Sequence, residues 1–232
     1  MESSIDIKDF VKVRQSRRAR KISLKYRKGL IAVVVPKDMD FDLDELIQDK
    51  ADFFERYLGE AKKFREEIPD RDLRPGGSIS LLGEEKPIEV EKRRSNKVSD
   101  KILLAEHLVE RTSFIDQLEK ALRSFAREKF EEKASKYSKD ISKDYERIFV
   151  KDQKTRWGSC SNKGNLNFNW RLILGPEHVI EYVVVHELVH LEEKNHSESF
   201  WSRVKEVYPT YEESNKWLEN NSAKLVFDKS EL

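Results

Sequence analysis

Residues 175–190 read Gly175-Pro176-Glu177-His178-Val179-Ile180-Glu181-Tyr182-Val183-Val184-Val185-His186-Glu187-Leu188-Val189-His190. The opening is a helix start, with proline at the first helical position and an acid in the first turn. Beyond it, Val179, Ile180, Val183, Val184, Leu188 and Val189 leave almost no polar face. That pattern predicts a helix buried in the centre of a domain. The chain turns abruptly polar at Glu192-Glu193-Lys194-Asn195, which predicts the helix end.

Two histidines four residues apart stand one above the other on one helix face. His186 and His190 therefore point into one space, at a spacing that lets both bind a single Zn²⁺. Glu187 sits one residue round, where a carboxylate reaches a water on the ion without binding the ion itself. That is the position of a general base. His196 lies past the predicted helix end, and a turn at Lys194-Asn195 folds it back as a third ligand. Asparagine tolerates the left-handed backbone such a turn uses. Three protein ligands plus water make an open, catalytic site, whereas a structural site is closed by four. The chain has five histidines, and three of them fall within these eleven residues. A polar cluster on an apolar helix is hard to explain as packing, because buried polar groups cost free energy unless engaged. His107 and His178 have no such setting and read as surface or packing residues. The histidine spacing equals that of the metzincin pattern, but Glu193 stands where that pattern has glycine. The only methionines, Met1 and Met39, lie far upstream, so no methionine turn follows.

Outward from this segment, Ser197 caps a further helix carrying Phe200, Trp201, Val204 and Val207, stopped by Pro209. A last helix contains Trp217 and Leu218. Upstream, Leu166, Phe168 and Trp170 alternate with Asn165, Asn167 and Asn169, as on a half-buried strand. Ile148-Phe149-Val150 reads as another strand. Ser113 caps a long amphipathic helix with Phe114, Leu118, Ala121, Leu122, Phe125, Phe130 and Ala134 on its apolar stripe. Before it, a β-hairpin spans Ile22–Val35 around a glycine turn. One helix covers 42–66, and short strands fall at 79–82, 86–91 and 101–105. The expected fold is α+β, with a small β-rich region at 1–105 and a second domain at 106–232.

The chain of 232 residues carries 45 basic and 44 acidic residues, so net charge says nothing for nucleic acid. The distribution says more. Residues 12–37 hold ten Lys/Arg and no acid, whereas 38–72 hold thirteen acids against six bases. The two segments either neutralise each other or leave a basic patch for nucleic acid. One cysteine, Cys160, excludes an intramolecular disulfide and fits a reducing compartment. No apolar run is long enough for a transmembrane helix, and the polar N-terminus does not read as a signal peptide. The expected setting is cytoplasmic, with no membrane partner.

The segment Gln153-Lys154-Thr155-Arg156-Trp157-Gly158-Ser159-Cys160-Ser161 resembles the signature of the YgjP-like metallopeptidases. So do Gly164-Asn165-Leu166, Asn169-Trp170-Arg171-Leu172, the His186–His190 motif, and Asn195-His196-Ser197 with Phe200-Trp201. Residues Arg17–Leu24 are similar to that family's opening. More distantly the chain resembles the SprT-like proteases. The resemblance implies a zincin-like minimal metallopeptidase domain with an active-site helix, zinc on His186, His190 and His196, and Glu187 as base. Arg156, Trp157, Gly158 and Ser159 then read as a substrate-binding cleft wall beside an edge strand to which an extended peptide pairs. There Gly158 permits close backbone approach. The opposing reading makes Trp157 and Trp170 core packing. Cys160 is either a fourth ligand that silences the site or a small buried side chain. Tyr182, Tyr208, Tyr211 and Arg156 are the candidates for stabilising a transition state.

The leading expectation is a zinc peptidase acting on proteins or peptides. The alternatives are a nucleic-acid-associated module, in which 12–37 recruits the protease domain to DNA-bound proteins, and a metal-dependent hydrolase of non-peptide amides.

Overall fold

The structure is a computed structural model that describes residues 6–27, 29–153 and 156–227. Lys28, in the basic segment, and Lys154-Thr155, in the signature segment, lie outside the described residues. The fold is mixed α+β, as expected. Its described residues fall into two compact units, 6–69 and 70–227.

In the first unit, strands β1 (Val11–Ser16), β2 (Ser23–Arg27) and β3 (Leu30–Pro36) form a sheet in the order β1-β3-β2. The predicted hairpin is β2 and β3, turning at Gly29 with φ +74°. β1 was not foreseen and pairs with β3 in parallel. Burial alternates along β3, and Ile31, Val33 and Val35 face the core. That core also holds Phe54 of the helical layer. The single helix expected at 42–66 is two, α1 (Leu43–Asp49) and α2 (Ala51–Glu66). They part at Lys50, whose backbone leaves the helical region at φ −116°, ψ 34°. Asp42 caps α1 by accepting the backbone N–H groups of Asp44 and Glu45, the bond such a residue makes at a helix start.

In the second unit, β4 (Ser78–Leu81), β5 (Glu84–Glu91), β6 (Lys97–Val98) and β7 (Ile102–Ala105) form one sheet in the order β4-β5-β7-β6. The sequence reading placed these strands with the N-terminal region and divided the chain at 105. The compact units instead part after Pro69, because Ile79, Leu81, Ile88, Ile102 and Leu104 bury themselves in the same core as the long helix that follows. After the short α3 (Glu106–Arg111) comes that helix, α4 (Phe114–Tyr137), capped by Ser113 accepting from the Asp116 N–H at 3.0 Å.

A second sheet holds β8 (Arg147–Lys151), β9 (Gly158–Cys160) and β10 (Asn165–Asn169), with β10 in the middle and β9 at an edge. Phe168 of β10 stacks on Phe130 of α4 at 4.7 Å between ring centres. The decisive helix is α5 (Glu177–Val189), with Pro176 one position earlier than expected, at the cap. Its apolar sides meet α4, α7 (Tyr211–Asn220), α6 (Glu198–Val207) and β9. Being covered on so many sides explains why its sequence shows no polar stripe. No helix among the described residues is long and apolar enough to cross a membrane.

Candidate active site

Helix α5 delivers His186 and Glu187 from its last turn, and His190 closes it as the C-cap residue. The His190 Nδ1–H donates to the Glu193 carbonyl at 2.9 Å. This bond fixes the tautomer and leaves Nε2 with a free lone pair. The chain then turns through 192–195 and enters α6 at Ser197, whose hydroxyl accepts the Phe200 N–H. The turn brings His196 back over the helix end. Its Nε2 stands 3.0 Å from the Nε2 of His186. One ligand-capable atom from each of His186, His190 and His196 lies within 4.8 Å of the others.

Beneath the three rings sits Phe200, fully buried. Its ring centre is 4.9 Å from that of His186, 4.6 Å from His190 and 4.8 Å from His196. Phe200 was legible only as part of an apolar stripe. The signal for its role was its place four residues after His196, on the same helical approach. Trp201 lies 5.8 Å from His196 and stacks on Tyr211 at 5.6 Å, and Tyr211 stacks on Tyr182. The result is an aromatic wall on one side of the histidines.

Glu187 is 5% exposed. Burial pushes its carboxyl up to about 8, against the Arg156 charge and the Cys160 backbone N–H, which both favour the anion. Its Oε2 is buried without a hydrogen-bond partner, an arrangement that costs free energy and calls for a reason. Burial, then the charges of the other two histidines, pushes His186 down to about 3. His190 is lowered too, mainly by burial. Burial therefore favours the neutral imidazole, the form that binds a metal.

Gly158 has a role the sequence only half revealed. A Cβ there would stand 2.5 Å from Glu187 Oε1 and 2.7 Å from its Cγ. What approaches the glycine so closely is the carboxylate itself. β9 is held in place by asparagines of β10 that had read only as a polar strand face. Asn167 Nδ2 donates to the Ser159 carbonyl at 3.2 Å, and Asn169 Nδ2 to the Gln153 carbonyl at 2.7 Å.

Trp170 is fully buried and packs in the core. Trp157 is half-buried against the same core, and its carbonyl accepts the Asn169 N–H. Arg156 is exposed, with its charge felt at Glu187. Among the described residues the convergent ligand set is the three histidines, without Cys160. That thiol lies half-buried, its Sγ 3.5 Å from the Ser161 carbonyl, and burial pushes it up. The Tyr182 hydroxyl donates to Asn215 Oδ1 at 2.9 Å and that of Tyr208 to the His178 carbonyl at 3.3 Å. His178 itself is a packing residue, with Nδ1 3.0 Å from the Ser214 hydroxyl.

A family model described as YgjP-like, metallopeptidase domain, matches residues 20–221. Among solved structures, the chain is similar to the metallopeptidase zymogen of Pyrococcus abyssi abylysin. The identity is 21% and the TM-score 0.37, covering 40% of this chain and 95% of that one. No curated protein matches.

Proposed function

We propose, from the premise that the chain belongs to the YgjP-like metallopeptidase family, that it hydrolyses peptide bonds with one Zn²⁺ held by His186, His190 and His196 and with Glu187 as general base. The convergence of three imidazoles beside a buried carboxylate carries this reading. The donor set fits the ion: all three groups are nitrogen ligands of the kind zinc takes, and burial favours the neutral form of His186 and His190. When bound, Zn²⁺ supplies the Lewis acidity that brings ionisation of a water near neutral pH.

The chain's own groups do the rest. Glu187 accepts the proton of the attacking water and returns it to the departing amine. Its environment suits both steps. Burial raises its proton affinity, while Arg156 and the Cys160 N–H stabilise the anion, so the group exchanges a proton near neutrality. The outer edge of β9 offers backbone donors and acceptors to an extended peptide, with Arg156, Trp157, Gly158 and Ser159 along it. A substrate chain without fixed structure fits such pairing. The lone Cys160 is consistent with a cytoplasmic setting.

Glu187→Gln tests the reading. The amide keeps the shape and cannot serve as base, so zinc content stays while hydrolysis of unfolded casein falls by about 10²–10⁴-fold. A zinc-loaded wild type that cleaves no unfolded protein or peptide would overturn the proposal.

A further inference from the structure

The first unit's sheet has two unlike faces. In the strand register, Val11 and Val13 stand beside Ile31 and Val33, and Leu24 and Tyr26 beside Val33 and Ile31. This set packs against the core shared with α2. The same register puts Lys12 beside Ala32 beside Lys25, and Arg14 beside Val34 beside Ser23. Side chains alternate between faces along a strand, so Lys12, Arg14 and Lys25 share the face turned away from the helices. All three are exposed.

The β1–β2 connection adds exposed Arg17, Arg18, Arg20 and Lys21, and exposed Lys37 follows β3. The Lys37 N–H bonds the Ser16 carbonyl, which brings the end of β3 to the start of that connection. Among the described residues, this unit's ion pairs join Lys8 to Asp44, Lys50 to Asp49 and Lys63 to Glu67. None of these eight cations takes part. The sequence offered neutralisation by the acidic stretch as one account of the basic one. That stretch builds the helices on the opposite side of the sheet, so the basic face keeps its charge.

We propose that this face binds the phosphate backbone of double-stranded DNA. Charge complementarity sets the class of partner. The face carries no aromatic side chain among the described residues. Tyr26 turns to the helical side and stacks on Tyr57 at 5.0 Å. Single-strand binders rely on aromatic platforms for unstacked bases, whereas a charged face without them holds phosphates and reads no bases. Lys12 and Arg14 lie about 7 Å apart along β1, and Lys12 and Lys25 about 10 Å apart across two strand spacings. That spread suits the rims of the wide B-form groove better than the deep, narrow groove of A-form RNA. Arg17 and Lys37 extend the surface into an open hollow of about 670 Å³, with Asp38 at its rim.

The inference is independent of the peptidase chemistry, since none of these residues lies in the second unit. Fluorescence anisotropy of the full chain with a labelled duplex of mixed sequence tests it. Binding is expected at about 50 mM salt, with log K falling linearly as log salt rises. Charge reversal at three positions, Lys12→Glu, Arg14→Glu and Lys25→Glu together, should weaken binding about tenfold or more and reduce the slope by about 2–3. Reversal of exposed Lys120, Lys139 and Lys205 in the second unit changes net charge equally and should leave most of the affinity. A circular-dichroism melt checks folding, and the Gln triple replaces the Glu triple if the latter unfolds. No duplex binding, equal loss in the two triples, or tighter binding to the matching single strand or to phosphatidylserine–phosphatidylcholine vesicles would each overturn the proposal.

Discussion

Helix α5 and the β1-β3-β2 sheet both concentrate polar groups on regular structure, and they do so in opposite settings. On α5 the polar groups are few and withdrawn from water among valines and leucines. On the sheet the cations are many and exposed. A buried polar group must be engaged or it costs about 1–3 kcal/mol, so each one on α5 demands a chemical reason and spacing supplies it. An exposed lysine costs nothing, so a run of them says little until its face, and what fails to pair with it, is known. The informative quantity is burial in one region and absence of partners in the other.

The largest effect that sharpens this contrast comes from two buried phenylalanines. Phe200→Ala and Phe54→Ala remove equally buried rings, and each should cost about 3–5 kcal/mol in a denaturant melt. Only Phe200 lies under the histidine rings. Its loss should also weaken zinc binding by about 10–100-fold, as for groups that orient ligands from behind, measured by competition with a chromogenic chelator. An equal loss of zinc affinity in Phe54→Ala would break the distinction.

Two glycines make the next pair. A methyl at Gly158 meets Glu187 at 2.5 Å, whereas one at Gly59, in α2, meets nothing within 4 Å. Overpacking of this kind costs about 1–3 kcal/mol. If it falls on the carboxylate's position, Gly158→Ala should lower kcat by about 10–100-fold with zinc content unchanged. Gly59→Ala should instead stabilise the chain by up to about 1 kcal/mol, through helix propensity alone. A Gly158→Ala protein with full kcat would show that Glu187 does not depend on the glycine.

How much of this was legible follows from the same physics. The spacing of His186, Glu187 and His190 on an apolar helix pointed to the metal-site reading, and the polar break after it predicted where His196 returns. The caps at Ser113 and Ser197 and the β2–β3 hairpin were local signals, and each has its hydrogen bond or pairing in the structure. What stayed hidden is non-local. β1 pairs with a strand twenty residues on and carries no signature of its own beyond Val11 and Val13. The strands at 78–105 read as N-terminal because they follow the basic sheet in sequence, whereas their burial belongs with α4. Lys50 breaks a helix whose apolar spacing runs straight through it. Phe200 beneath the rings, and Asn167 and Asn169 holding β9, act through partners that no periodicity reveals.

Asn169 gives the third contrast. It is buried, its amide donates to the Gln153 carbonyl at 2.7 Å, and its Oδ1 accepts the Arg171 N–H at 3.2 Å. Asn169→Ala strands those groups and should cost about 1–3 kcal/mol. Because Gln153 leads into β9, kcat/KM should fall together with stability. Ile31→Val in the first unit is the smallest change, about 0.5–1.5 kcal/mol for one buried methylene. Its neighbours in the core are those of β3 and the N-terminal helices. The melt should therefore shift while kcat/KM for an unfolded substrate stays at the wild-type value, measured at a temperature where both proteins are folded. A fall in kcat/KM for Ile31→Val as large as for Asn169→Ala would mean that the basic sheet contributes to peptide hydrolysis. The opposite settings of the two regions would then serve a single activity.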